Sequence, residues 1–324
     1  MATYNATTTN TPLSRVLSGR SLKTDRYEST TMFKPLANDK EFGSIYLFDQ
    51  KRNLERIGNL EREDGGPSVE VKADYSSTNF KCKTIAVKNK IPYKFLRNAD
   101  PVVQMNHKKG MSLGLAKMLW KQREQDSIDV LEDTANFTSN TRTLTGTDQW
   151  SDYENSEPWK DIGEWEEALE KNTDGEQVTD IWMNRQVITI LQYHPHTMAL
   201  LKNTEFKFMS DIAFMAILKG QLFLRDIPKL HIARTTKNTA KQGQTATSNW
   251  QAGKHFVMVH NNPEAGELYQ ETFGYMIYPT NVGAFTVEEF EVPGEKALYI
   301  EDEMTYGFKV VQEGCGQQAK SVIA

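Results

Sequence analysis

A chain of 324 residues, 38% hydrophobic and 25% charged, can build one large domain or two modest ones around a real core, which excludes wholesale disorder. Its formal charge of −5, with acids and bases mixed along the chain, argues against a protein whose main surface binds nucleic acid. No apolar run is long enough to cross a bilayer, and Met1–Asn10 lacks the apolar stretch of a secretory signal. Two cysteines, Cys82 and Cys315, make neither a disulfide framework nor a zinc site and read as buried thiols in a reducing cytoplasm.

Residues 1–35 are rich in Thr, Asn and Ser, with Arg15, Arg20, Lys23, Arg26 and Lys34 set against Asp25 and Glu28. They read as a mobile, mildly basic arm that orders against a partner. Residues 36–75 read as a long hairpin. Ser44–Phe48 is one strand, Asp49–Asp64 a charged run, Gly65-Gly66-Pro67 a turn, and Ser68–Lys72 an alternating strand. The charged middle cannot bury itself, and an isolated two-stranded hairpin is marginal in water, so this ribbon needs a surface to lie on. The bland alternative is a disordered surface loop.

Phe80–Val87 is a further strand, and Pro92 and Asp100-Pro101 lead into the longest helix, residues 101–135, with Asp100 as cap and Pro101 at its first position. Leu113, Ala116, Trp120 and Leu131 share one side, which Met111, Leu115, Met118 and Leu119 widen. Lys121–Ser127 holds no apolar residue. The middle of this rod, roughly 50 Å long, is therefore expected to stay wet, lying across a thin body.

Gly146 allows a tight turn, Thr147 and Asp148 bond locally, and Trp150 offers a large apolar anchor. Pro158 starts a helix with Ile162, Trp165 and Leu169 at helical spacing, ended by Asn172–Gly175. Val178–Met183 is a strand, and Asn184 caps a helix through Leu191 that His194-Pro195 breaks. Thr197–Lys202 is another helical turn, and Ser210-Asp211 starts a helix through Leu218 with Gly220 as its stop. Pro228–Ala233 and Phe256–His260 are strands on either side of an exposed loop, Arg234–Gly253. Thr272–Tyr278, Phe285–Val292, Leu298–Tyr306 and Phe308–Val311 complete an α+β pattern.

No segment carries recognisable chemistry. Asp148 and Asp152 flank Trp150 as turn formers, and Glu166, Glu167 and Glu170 fall on the solvated face of a helix. His194 and His196 are spaced too tightly to aim at one ion, and His231, His255 and His260 read as structural. Lys108–Ser112 lacks the glycine-rich lead of a phosphate loop, and no Gly-x-Ser-x-Gly elbow occurs.

Five segments, in order, resemble the Hong Kong 97 type of major capsid protein of tailed bacteriophages. The sharpest is Leu144-Thr145-Gly146-Thr147-Asp148-Gln149-Trp150-Ser151-Asp152 followed by Pro158. The others are Asp74–Cys82, Pro101–Ala135, Asp180–Arg185 through His194-Pro195, and Tyr306–Val311. The resemblance covers roughly residues 40–324. It implies a Hong Kong 97-like capsid fold: an N-terminal arm (1–35), an extended hairpin or E-loop (36–75), a peripheral domain (76–175 and 286–324) with the spine helix 101–135, and an axial domain (176–285).

The resemblance also implies a structural protein and not an enzyme, with no catalytic residue, cofactor or metal. It would self-assemble as hexamers and pentamers into an icosahedral head shell enclosing double-stranded DNA, touched only at phosphates. Lys51, Arg52, Glu55, Arg56, Glu61, Arg62, Glu63 and Asp64 become inter-subunit salt bridges of the hairpin, against the alternative that they only keep a loop soluble. The arm is too short for the scaffolding segment some relatives carry, which implies a separate scaffolding protein beside portal and decoration proteins. Lys51 could donate the cross-link that some relatives make, but no acceptor is marked. The expected location is the virion, assembled in the host bacterial cytoplasm, with no membrane partner. The rivals are an encapsulin-like nanocompartment shell enclosing cargo protein, told apart by nucleic-acid content, and an enzyme with an unrecognised site, told apart by particle mass.

Overall fold

The computed structural model describes residues 8–9, 27–48, 75–138, 140–173, 175–202, 210–240, 243–262, 271–280, 285–292 and 294–324. The first half of the chain gives β1 (Thr8–Thr9), β2 (Lys34–Asn38), β3 (Phe42–Phe48), β4 (Tyr75–Lys81), β5 (Lys83–Pro92), α1 (Tyr93–Asn98), α2 (Pro101–Glu132), β6 (Thr141–Thr143) and α3 (Pro158–Asn172). Then come β7 (Asp180–Asn184), α4 (Arg185–Tyr193), α5 (Pro195–Lys202), α6 (Asp211–Leu222), β8 (Lys229–Ala233), β9 (Thr236–Asn238), β10 (Ser248–Trp250) and β11 (Phe256–Val259). The chain closes with β12 (Gly274–Pro279), β13 (Phe285–Glu291), β14 (Ala297–Val310) and β15 (Gly316–Lys320).

β14 is the seam of the first lobe. β5 pairs antiparallel along Ala297–Tyr306, β13 along Leu298–Met304 and β12 along Gly307–Val310. The sequence reads as two strands here because Gly307 interrupts the apolar run. The chain nevertheless passes straight through it, and a Cβ there would come within 3.1 Å of the Lys81 carbonyl. β2 adds parallel to β12, and β1 adds to β13. Period-two residues on one sheet face, Phe285, Val287, Ile300 and Met304, pack on Leu115, Ala116, Leu119 and Trp120 of α2.

The middle of α2 is not wet. Arg123, Glu124 and Ser127 are buried, continuing the same face from Leu119 and Trp120 to Ile128 and Leu131. The reason is a segment distant in sequence. Glu124 accepts from the Ser29 and Thr30 amides at 3.0 and 3.1 Å and from the Thr30 hydroxyl at 3.0 Å. Met32 and Phe33 follow into the core, where the Phe33 ring lies 5.0 Å from that of Phe308 and 5.9 Å from that of Phe273. Residues 27–35, expected in a mobile arm, are thus a strap across the body, and residues 34–38 are a sheet strand.

Hairpin formation is seen where the described residues reach it. β3 and β4 pair antiparallel from Phe42↔Lys81 to Phe48↔Tyr75. The strand expected at Ser68–Lys72 lies outside the described residues, as does the turn at Gly65-Gly66-Pro67.

The second lobe is a five-stranded sheet ordered β6-β15-β11-β7-β8. Every residue of β7 and β11 is buried. One apolar cluster joins Trp150, Trp159, Ile162 and Trp165 to Ile181, Val187, Phe214, Phe256 and Val322. α3, placed by the sequence reading with residues 76–175, therefore packs with the other lobe, as does β15. β15 escapes sequence reading because Gly-Gln-Gln-Ala-Lys has no apolar alternation. It is buried between β11 and β6, where the Gln318 side-chain amide is satisfied by the Leu131 carbonyl at 2.7 Å.

Local signals mostly hold. The Asn184 side chain accepts from the Gln186 amide and that of Ser210 from the Ala213 amide. Gly146 and Gly175 take φ of +60° and +86°. Asp100 occupies the cap position without a side-chain bond. The helix expected to stop at Gly220 runs to Leu222, because the left-handed turn falls on Phe223 at φ 53°. Arg234–Gly253, expected as a loop, holds the antiparallel ribbon β9–β10.

Candidate functional site

One serine–histidine contact could be mistaken for a catalytic pair. Ser156 Oγ lies 3.1 Å from His194 Nε2. His194 Nδ1, however, accepts the His196 amide, so Nε2 carries the proton and donates to Ser156. Ser156 Oγ in turn donates to the Asp152 carbonyl. Both residues are buried, burial pushes the imidazole down, and no carboxylate orients the ring. The arrangement locks the Asp152–Ser156 turn onto the start of α5 and cannot activate a nucleophile.

The other singled-out groups are structural in the same way. Asp152 is held low by the Asn155 side chain and by the Glu154 and Asn155 amides. His231 bridges Thr31 and Asp180 at 2.9 and 2.8 Å. His260 Nδ1 lies 2.7 Å from the Gln177 carbonyl, and burial takes His255 down to about 4. Glu166, expected on a solvated face, is buried, and desolvation followed by Glu170 pushes it up to about 7. Cys82 and Cys315 are free, buried thiols, raised by burial. Among the described residues no group of three or more His, Cys, Asp and Glu could hold a metal ion.

A buried carboxyl under α2 carries a testable pH dependence. Asp302 accepts from the Ser112 hydroxyl at 3.0 and 3.1 Å. Burial pushes it from 3.8 up to about 7, partly offset by Ser112 and the Ala116 amide. A raised folded pKa means the native state binds the extra proton. That stability is complete below about pH 4 and is lost as pH rises through about 7. Asp302→Asn is expected to flatten the stability profile by up to about 1.4 kcal/mol per pH unit within this window. Urea unfolding at several pH values checks it, and an unchanged slope would contradict it.

Several large apolar side chains are exposed at the surface. On the outer face of the β3–β4 ribbon, Phe42 is 70% and Tyr46 64% exposed. The inner face sets Ile45 and Phe80 on Tyr275 and Ile277. Val102, Met105 and Met118 stand exposed on α2, and Tyr193, Ile212 and Phe223 on the second lobe. These large apolar groups are distributed over both lobes. Lys51, Arg52, Glu55, Arg56, Glu61, Arg62, Glu63 and Asp64, expected to make inter-subunit contacts, lie outside the described residues.

No family model and no curated protein matches this sequence. Solved structures do match its fold. A phage-related protein from Bordetella bronchiseptica is 15% identical, with 98% of this chain and 99% of that one covered and a TM-score of 0.68. The capsid of cyanophage P-SCSP1u is 9% identical over 89% and 85%, with a TM-score of 0.51. The SrpI encapsulin of Synechococcus elongatus is 8% identical over 91% and 87%, with a TM-score of 0.53. At such identities the likeness shows the fold: a mixed α+β fold shared with phage capsid and encapsulin shell proteins.

Proposed function

We propose that this chain is a shell subunit of the Hong Kong 97 type that assembles with copies of itself into a phage head around double-stranded DNA. The observation that carries this reading is the fold likeness to the cyanophage capsid, over 89% of this chain and 85% of that one, in a body whose large exposed groups sit on both lobes. In this reading α2 is the spine helix, and β2, β5 and β12–β14 form the peripheral domain. The axial domain takes β7, β8 and β11 together with α3 and β15, since one apolar cluster holds them, and β6 joins by pairing with β15. The arm and the E-loop (36–75) are anchored in this copy by residues 27–38 and by the inner face of β3–β4, and meet neighbours through what these leave uncovered, exposed Phe42 and Tyr46 included.

Contacts that close by rotation give rings, here hexamers and pentamers, and rings tile a shell. Each contact can be weak because every subunit makes many at once. Scaffolding, portal and decoration proteins are the further partners of this reading, with DNA held through phosphate and not sequence.

The encapsulin likeness, which matches the fold as well as the cyanophage capsid does, supports a second reading as a cellular nanocompartment shell. Electron microscopy of the chain, expressed alone and with its genomic neighbours, tests the first reading. Rings or closed particles containing nucleic acid are expected. Particles holding only protein favour the nanocompartment, and a small oligomer under every condition overturns both.

A further inference from the structure

The formal charge of −5 conceals a polarised chain. Residues 81–123 carry eleven Lys and Arg against one acid, Asp100, whereas residues 124–180 carry seventeen Asp and Glu against three bases, Arg142, Lys160 and Lys171. α2 spans the change. Lys108, Lys109, Lys117 and Lys121 precede Asp126, Asp129 and Glu132, with no acid in the first turn and no base in the last. The helix macrodipole favours the reverse order, so backbone and side chains add up to one positive and one negative end.

Part of this charge is met within the chain. Lys83 pairs with Asp126 at 2.7 Å and Lys108 with Glu289 at 2.8 Å, while Lys160–Glu157 and Lys171–Glu167 are pairs inside α3 and its start. Lys94, Arg97, Lys109 and Lys117 are exposed and make no ion pair among the described residues. Lys94, Arg97 and Lys109 share the tip formed by α1 and the first turns of α2 with exposed Phe95, Val102 and Met105, while Lys117 lies near mid-helix.

On the acidic side, Asp148, Glu157, Asp161 and Glu164 line a hollow of about 430 Å³ rimmed by Arg142 and Lys160. Burial and then the neighbouring Glu164, Asp148 and Glu157 raise Asp161, so the acids repel one another inside one copy. The hollow is large enough for a Lys or Arg side chain.

We infer that the α1–α2 tip of one copy seats Lys94 and Arg97 at the acid hollow beside α3 of the next copy, a head-to-tail contact. This rests on the shell-subunit reading. A second copy is the occupant because each surface carries what the other lacks, and every copy carries both. Such a contact has no internal two-fold axis and propagates around a ring. Duplex DNA fits less well, because the tip carries large apolar groups among its bases and the hollow would repel phosphate.

The test is a charge swap in the full chain, read as the fraction sedimenting above monomer. Lys94→Glu with Arg97→Glu is expected to cut that fraction about tenfold. Asp148→Lys with Glu164→Lys should do the same, and the four changes together should restore assembly to within about threefold of the unaltered chain. All four residues are exposed, so folding should survive, checked by circular dichroism. If a reversal misfolds, neutral variants serve: Lys94→Gln with Arg97→Gln, and Asp148→Asn with Glu164→Gln. Each neutral pair should weaken assembly alike, and both together should add nothing further.

Three outcomes overturn the inference while leaving the shell reading intact: single swaps that assemble normally, a combined variant no better than either half, or tip variants whose particles persist but lose nucleic acid. An unaltered chain that never assembles overturns the shell reading itself, and this contact with it.

Discussion

Trp150→Ala is expected to lower the unfolding free energy by about 3–5 kcal/mol, a large share of the roughly 5–15 kcal/mol that keeps a domain folded. Trp150 is fully buried at the join between the second-lobe sheet and α3. Its ring stacks on Trp165 at 5.8 Å and meets Phe256 edge-on at 5.4 Å. Its indole N–H donates to Asp161 at 2.9 Å, and its amide donates to the Val322 carbonyl at 2.7 Å. Alanine leaves a cavity walled by two aromatic rings and removes a donor from a carboxylate already crowded by other acids. Trp150→Phe retains most of the ring and should cost about 1–2 kcal/mol. Urea titration measures both. A loss under about 1 kcal/mol for the alanine variant would mean that the aromatic cluster does not hold this lobe together.

The Glu124→Ala substitution is expected to cost about as much, about 3–5 kcal/mol, through a different mechanism. No large apolar group is lost. Instead three buried donors, the Ser29 and Thr30 amides and the Thr30 hydroxyl, lose their acceptor at once. The strap would keep the bonds from Trp182 Nε1 to Ser29 Oγ at 2.8 Å, from the Ile232 amide to Glu28 at 2.6 Å and from Asn261 Nδ2 to the Met32 carbonyl at 2.9 Å, the Thr31–His231 contact, and the burial of Met32 and Phe33. Limited proteolysis should then cut near residues 27–33 well before the rest of the body. Glu124→Gln keeps an acceptor oxygen and should cost less than half as much. Unchanged protease resistance in the alanine variant would show that Glu124 does not hold the strap in place.

Most element boundaries were legible because their causes are local. Pro101 and Pro158 start helices, Asn184 and Ser210 cap them, and glycine at positions 146 and 175 supplies positive φ. What could not be read comes from partners far along the chain. Glu124 looks like part of a solvated stretch of helix until a segment 94 or 95 residues earlier bonds its carboxylate. β15 looks like a loop until it pairs between β11 and β6. Glu166 reads as exposed from the charges beside it on α3, yet it faces the interior.

The candidate contact surfaces were missed for another reason. Averaging charge over the whole chain cancels the basic stretch 81–123 against the acidic stretch 124–180, and a windowed count would have separated them. The segment Leu144–Asp152, which carries the resemblance most sharply, proves to be the turn that delivers Trp150 to its cluster. The sequence signal there is packing and not chemistry.

The central claim, that this chain is one tile of a shell, is tested most directly by its mass in solution. Sedimentation velocity of the purified full-length chain, over a range of concentrations and with its genomic neighbours co-expressed, should show rings and closed particles many times heavier than the 37.0 kDa subunit, increasing with concentration. A single boundary at the mass of one chain throughout would contradict it.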